Sequence, residues 1–290
     1  MNQAIRSISE NKVVPYLKFG LIAVLVILLY YPEIRFMVNE WWTKHEYSHG
    51  FLIPLMSGYL IWRKRDLLSR LPVTANIGGF IILLTGIALL ATGHVSHEPF
   101  IRRFSLLITI FGLVYFLQGK RILTILLFPL GYLLFMIPPP YILFKSIAVS
   151  LRFVSAKATY LIIKSFGIPI IQEGAVLQLP NINLTIADFC TGILSLISIF
   201  AIAVFYAYLT QKKLLKKILL IMIAVPIAIA GNIFRLVITV CLAYFYGESA
   251  LRSVIHQFHG TVNFIITLGL LMLTGQIINR IDLKLSQNKA

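Results

Sequence analysis

Cys190 stands in the stretch ADFCTGILS, Arg235 in GNIFRL and His256 in HQFHG, each inside or at the edge of a long apolar run. These residue types suit one chemistry. A thiol beside a guanidinium is held toward its thiolate, and a guanidinium can equally donate to a developing oxyanion. An imidazole gives a proton to a leaving amine and then takes one from an incoming nucleophile. Together they make a thiol acyl-transfer site. Asn232, Arg235 and Thr239 recur at i, i+3 and i+7, so they share one helix face, and His256, His259 and Asn263 share another. An arginine within a membrane span is costly and marks function by default. Each residue also has a plainer reading. Cys190 can be inert packing, or can pair with Cys241, the only other cysteine, in an oxidising compartment. Arg235 can snorkel or satisfy helix carbonyls, and either histidine can be an interfacial hydrogen-bonding residue. Asp188 either orients His256 or Arg235 or is a carboxylate wetted at the interface.

The elements that must position these residues are membrane helices. The chain has 290 residues, 59% of them hydrophobic and only 12% charged, with mean hydropathy +0.88. Soluble chains carry about 25% charged residues. Apolar runs near the length that crosses a bilayer, without strand alternation, give an all-α polytopic membrane bundle of about eight transmembrane helices in a single integral membrane domain. The spans are expected near 15–32, 48–63, 77–93, 104–118, 121–137, 189–210, 217–244 and 258–279. The first is read as an uncleaved span, because no small-residue cleavage site follows its basic leader.

The net charge of +16 belongs to topology rather than to nucleic acid, for which no basic and aromatic platform is present. Lys and Arg gather in RKRDLLSR (ending at Arg70), in QGKR and in TQKKLLKK. Placing these connectors in the cytoplasm puts both termini there and makes the chain a multi-pass protein of the cytoplasmic (inner) membrane. The segment 138–188 tests the scheme. Lys145, Arg152, Lys157 and Lys164 interrupt its first half, and a span there would reverse every later orientation. The expectation is a surface amphipathic helix on the outer face, then a short hairpin between spans five and six, punctuated by Gly174 and Pro180. Cys190 then opens an out-to-in span. Arg235 lies about 18 residues, roughly 27 Å, into an in-to-out span, and His256 and His259 precede the last span. All three types reach one outer depth.

These pieces resemble the exosortase and archaeosortase family of membrane cysteine transpeptidases. The resemblance is carried by YSHGFLIPLMSGYLIWRKR, ADFCTGILS, GNIFRL and HQFHG, in the family's order and over most of the chain, with CTG where CSG is commoner. It implies Cys190 as nucleophile, Arg235 as thiolate or oxyanion stabiliser and His256 as general acid/base. His259 ranks second, since it does not open the H-x-x-x-G motif, and Asn232, Asp188 and His49 are possible supporting residues. It also implies the substrates: secreted proteins with a C-terminal sorting signal of Pro-Glu-Pro type, a membrane anchor and a basic tail. These would be cut at the outer face and transferred to an unidentified acceptor, with no cofactor and no metal. The basic stretch with Lys145, Arg152 and Lys157 either attracts an acidic signal or snorkels to lipid phosphate.

Two other classes compete. HEYSH, residues 45–49, is a literal H-E-x-x-H and would on an α-helix bind zinc with Glu46 as general base, making an intramembrane metalloprotease. Against it, no span offers a deep Asp as third ligand, and the resemblance explains YSHG without His45 or Glu46. A transporter or export component without covalent chemistry would also use intramembrane Arg and His, but repeat symmetry is lacking. Neither a G-x-S-x-G elbow nor a P-loop pattern occurs.

Overall fold

The computed structural model describes residues 20–180, 182–186, 193–247 and 254–287, with the backbone alone at 45–46, 193–195, 254–260 and 281–287. The chain divides into two compact units, Met1–Pro138 and Pro139–Ala290.

In the first unit a short helix α1 (Gly20–Leu29) bends by 71° at Tyr30 into α2 (Tyr31–Thr43). Pro32 sits at the second helical position of α2, where a missing N–H is harmless. A 3-10 helix (His45–Phe51) leads into α3 (Leu52–Arg63) and the single turn α4 (Arg65–Leu68). Then come α5 (Ile77–Val95), α6 (Pro99–Gln118) and α7 (Lys120–Tyr132), followed by a 3-10 turn (Leu133–Met136). Helices α5 and α6 approach closely through small residues: a Cβ on Gly79 or Gly112 would run into the partner's backbone. Pro129 inside α7 cannot donate to the Ile125 carbonyl, and Lys64 Nζ supplies the missing donor at 2.6 Å.

This unit also holds acidic residues that the sequence reading passed over. Glu33 on α2 is only 2% exposed and meets Arg102 Nη1 at 3.1 Å, with His94 Nε2 at 3.9 Å. Glu40, two turns on, meets Arg103 Nη1 at 2.6 Å. The Tyr30 hydroxyl at the bend reaches Ser105 Oγ and Thr109 Oγ1, so α2 is fixed to α6 at three levels. Burying a carboxylate in this apolar unit is tolerable because an arginine comes with it.

The second unit opens with α8 (Tyr141–Ser165) and a three-stranded antiparallel meander, β1 (Ile171–Glu173), β2 (Val176–Leu179) and β3 (Ile182–Thr185). Gly174 turns β1 into β2 at φ 62°, a left-handed value that suits glycine. The expected hairpin thus has a third strand, Ile182–Thr185 pairing with Val176–Leu179. Among the described residues three helices follow: α9 (Ile193–Thr210), α10 (Leu214–Tyr246) and α11 (Val254–Gln287).

The polar contacts set the helix directions. Lys216 Nζ donates to Ile278 O while Gly231 abuts Thr267, so α10 and α11 are antiparallel. Along α8 and α10 the order of contact is the same. Ala148 and Leu151 cluster with Ile229, Ser155 bonds Asn232, and Ala156 and Ile163 share a core with Leu236, Val240 and Ala243. Helix α8 therefore runs alongside α10 and parallel to it, with a face of Ala148, Leu151, Ser155, Ala156, Thr159 and Ile163 buried. The sequence led us to expect a helix lying on the outer surface; the helix is also long and apolar enough to cross a membrane, and it packs lengthwise on α10. Small residues on that face admit α10, while Lys145, Lys157 and Lys164 lie off it.

The molecule is an all-α membrane bundle with a small sheet. Among the described residues five helices are long and apolar enough to cross a membrane, α5, α6, α8, α10 and α11, or six if bent α1–α2 is one span. The eight spans expected from the sequence are not reached by this measure, since α3 and α7 have only 12 and 13 residues and α9 counts only as the shorter apolar helix Leu196–Thr210.

Candidate active site

Arg235 lies on α10, one turn beyond Asn232. Its Nη2 donates to Asn232 Oδ1 at 3.3 Å, and the Asn232 Nδ2 donates to Ser155 Oγ on α8 at 3.2 Å. Ser155 is fully buried and Asn232 is 3% exposed. The asparagine is thus an adapter. One end of its amide accepts from the cation and the other donates to a neutral hydroxyl, so the guanidinium is folded back along α10 without being neutralised. Among the described residues no carboxylate pairs with Arg235 or Arg152, whereas Arg102 and Arg103 of the first unit each have one. Thr239, the third member of the stripe, is 6% exposed and donates to Arg235 O.

Helix α11 approaches α10 through Gly231, where a Cβ would run into the Thr267 side chain. Asn263 and Arg235 each lie four residues from that contact. In an antiparallel pair this puts both about 6 Å from it, toward the same end. His259 and His256 sit four and seven residues further toward the start of α11, about one and two turns beyond Asn263. Helix α9 enters at this end too. Its Leu196 and Ile197 pack with Ile229, Ala148 and Leu151, and its described start, Ile193, lies above them.

Of the residues singled out in the sequence, Asn232 and Arg235 are therefore brought together. Cys190 and Asp188 lie outside the described residues, and so do the side chains of His256 and His259. Cys241 is a free, partly buried thiol. His49 is half-buried in the 3-10 helix of the first unit. The partner Ser155 was missed by sequence reasoning. Its signal was a small polar residue on the same α8 face as Ala148, Ala156 and Thr159, visible only once α8 is taken as packed against another helix.

The HEYSH segment is a 3-10 helix. With three residues per turn, positions i and i+4 point about 120° apart, rather than along the single face that paired zinc ligands on an α-helix require. The side chains of His45 and Glu46 lie outside the described ones.

A model of the transmembrane exosortase family matches residues 41–273. Neither a curated protein nor a solved structure matches the chain.

Proposed function

The chain belongs to the transmembrane exosortase family, and on that premise we propose that it is a cysteine transpeptidase. Its substrates are secreted proteins held in the membrane by a C-terminal signal of Pro-Glu-Pro type, a span and a basic tail. It cuts them at the outer face of the cytoplasmic membrane. The observation that carries this reading is Arg235, a cation inside an apolar bundle that is held by a neutral amide and, among the described residues, has no carboxylate. An uncompensated positive charge at that depth is expensive and suits an anion that forms during reaction.

Cys190, as thiolate, attacks the scissile carbonyl and forms the C–S bond, while Arg235 stabilises the thiolate or the oxyanion. Collapse breaks the C–N bond, and His256 gives its proton to the leaving amine. The acceptor nucleophile then loses a proton to His256 and attacks the thioester, which frees the Cys190 sulfur. Asn232 holds Arg235, Asp188 shapes the approach, and His259 and His49 are secondary candidates. Because the substrate shares the membrane, it meets the thiol by diffusion in two dimensions.

The test is to trap the thioester. The full chain is co-expressed with a secreted reporter bearing the signal, span and basic tail, and mass spectrometry under non-reducing conditions follows size and adducts. A reporter fragment on Cys190, absent along with all processing in Cys190→Ala, is expected. Processing that survives Cys190→Ala would overturn the reading.

A further inference from the structure

Among the described residues, buried polar atoms without a hydrogen-bond partner include Thr159 Oγ1 on α8, Arg235 Nε on α10 and Asn263 Oδ1 on α11. Thr159 is 0% and Asn263 8% exposed. They come from three different helices, yet they fall on one level. Asn263 and Arg235 are each four residues from the Gly231–Thr267 contact of the antiparallel α10 and α11. Thr159 is four residues and Arg235 three beyond the Ser155–Asn232 bond that joins the parallel α8 and α10. The axial offsets agree to about 1.5 Å. Below this level Asn232 uses both ends of its amide and Thr267 donates to Asn263 O, while Arg152 Nε on α8 also lacks a partner. Unmet groups buried together in a native structure call for an explanation.

Their chemistry states what they lack. Arg235 Nε–H can only donate, Asn263 Oδ1 can only accept, and the Thr159 hydroxyl does either. A carboxylate or phosphate answers the arginine but brings no donor for Asn263. A peptide group brings both a carbonyl and an N–H. A substrate chain drawn extended into the bundle must also part from water, so its backbone groups need partners there. We propose that Thr159, Arg235 and Asn263 bind a backbone peptide group of the extended substrate beside the scissile bond. The three-helix level thus replaces the hydrogen bonds that the substrate backbone loses on leaving water. This inference rests on the transpeptidase reading of the same bundle.

The test uses the full chain in lipid vesicles. Its probe is a synthetic anchored peptide carrying the Pro-Glu-Pro signal, the span and the basic tail, with thermal melting measured in parallel. Thr159→Val and Asn263→Leu remove the polar atoms and keep most of the bulk. Each is expected to melt at or above wild type while kcat/KM falls by about tenfold or more, and Thr159→Ser keeps most of the rate. A second arm N-methylates the peptide at successive bonds. One position should slow wild type by about tenfold yet add nothing in Asn263→Leu. Apolar variants as active as wild type would mean that water or packing alone occupies the level, and melting that falls in step with activity would mean a structural role; either result overturns the proposal. Cleavage by Cys190→Ala would instead sink the transpeptidase reading, so the two failures are distinguishable.

Discussion

Arg235 is useful only in the position that Asn232 gives it. The Nη2–Oδ1 bond fixes the guanidinium and adds no negative charge. Arg235→Lys keeps the charge but loses the planar fork that reaches Asn232. Cleavage of the anchored reporter in vesicles is expected to fall by about a hundredfold, the range seen when one positioned oxyanion donor is lost. Asn232→Asp tests neutrality directly. A carboxylate there would pair with Arg235, and cleavage should drop by at least about tenfold even if melting rises. Of the two histidines, His256→Ala should abolish processing while His259→Ala keeps a measurable rate. Separate adduct measurements on the two variants check this.

At the scale of elements, three contacts decide where the helices stand. Gly231 lets α10 and α11 touch, and Gly231→Ala would press a methyl group into Thr267. A cost of about 1–3 kcal/mol is expected, read as a lowered melting temperature in detergent. In the first unit, Glu33→Ala would leave Arg102 without its carboxylate. Removing one partner of a fully buried pair costs about 3–5 kcal/mol. Arg102 keeps partial exposure, so about 2 kcal/mol is the expected loss. Helix α8 carries the third test. Tyr141 lies fourteen residues before the Ser155–Asn232 bond, about 21 Å along the axis, and Phe166 lies just past the other end of the helix. Both are exposed on the bundle. With the native cysteines replaced, a membrane-impermeant thiol reagent applied to intact cells should label one of Phe166→Cys and Tyr141→Cys and spare the other. Equal labelling of both would return α8 to the membrane surface.

For the whole molecule, the charge of +16 and the apolar composition act together. Lysines such as Lys212 and Lys213 are exposed at the turn between α9 and α10 and leave the apolar helix faces to lipid. The protein is therefore expected to stay with membranes through washes in about 1 M salt, where the Debye length is near 3 Å, and to leave them only in detergent. Sedimentation followed by immunoblotting measures this. Release by salt alone would mean that charge, not burial in lipid, holds the chain to the membrane.

The sequence by itself determined the membrane class, the family and the candidate stripe of Asn232 and Arg235. Those rest on composition, on the order of four short motifs and on the helical period, all of which are local along the chain. It did not determine the partners of the stripe. Ser155 lies 77 residues from Asn232, and no periodicity links a serine on one helix to an amide on another. Nor did it expose Glu33 and Glu40, whose burial makes sense only beside Arg102 and Arg103. The charge pattern of 138–188 argued for a surface helix because a hydropathy reading sums around the helix. Tertiary packing acts on one face, and the face of α8 with Ala148, Ser155, Ala156 and Thr159 is small enough to admit α10. Only that contact, with the Gly231–Thr267 approach, brings Thr159, Arg235 and Asn263 to one level. Depth along a bundle is set by which residues touch across helices, and a single chain read in order does not contain those pairings.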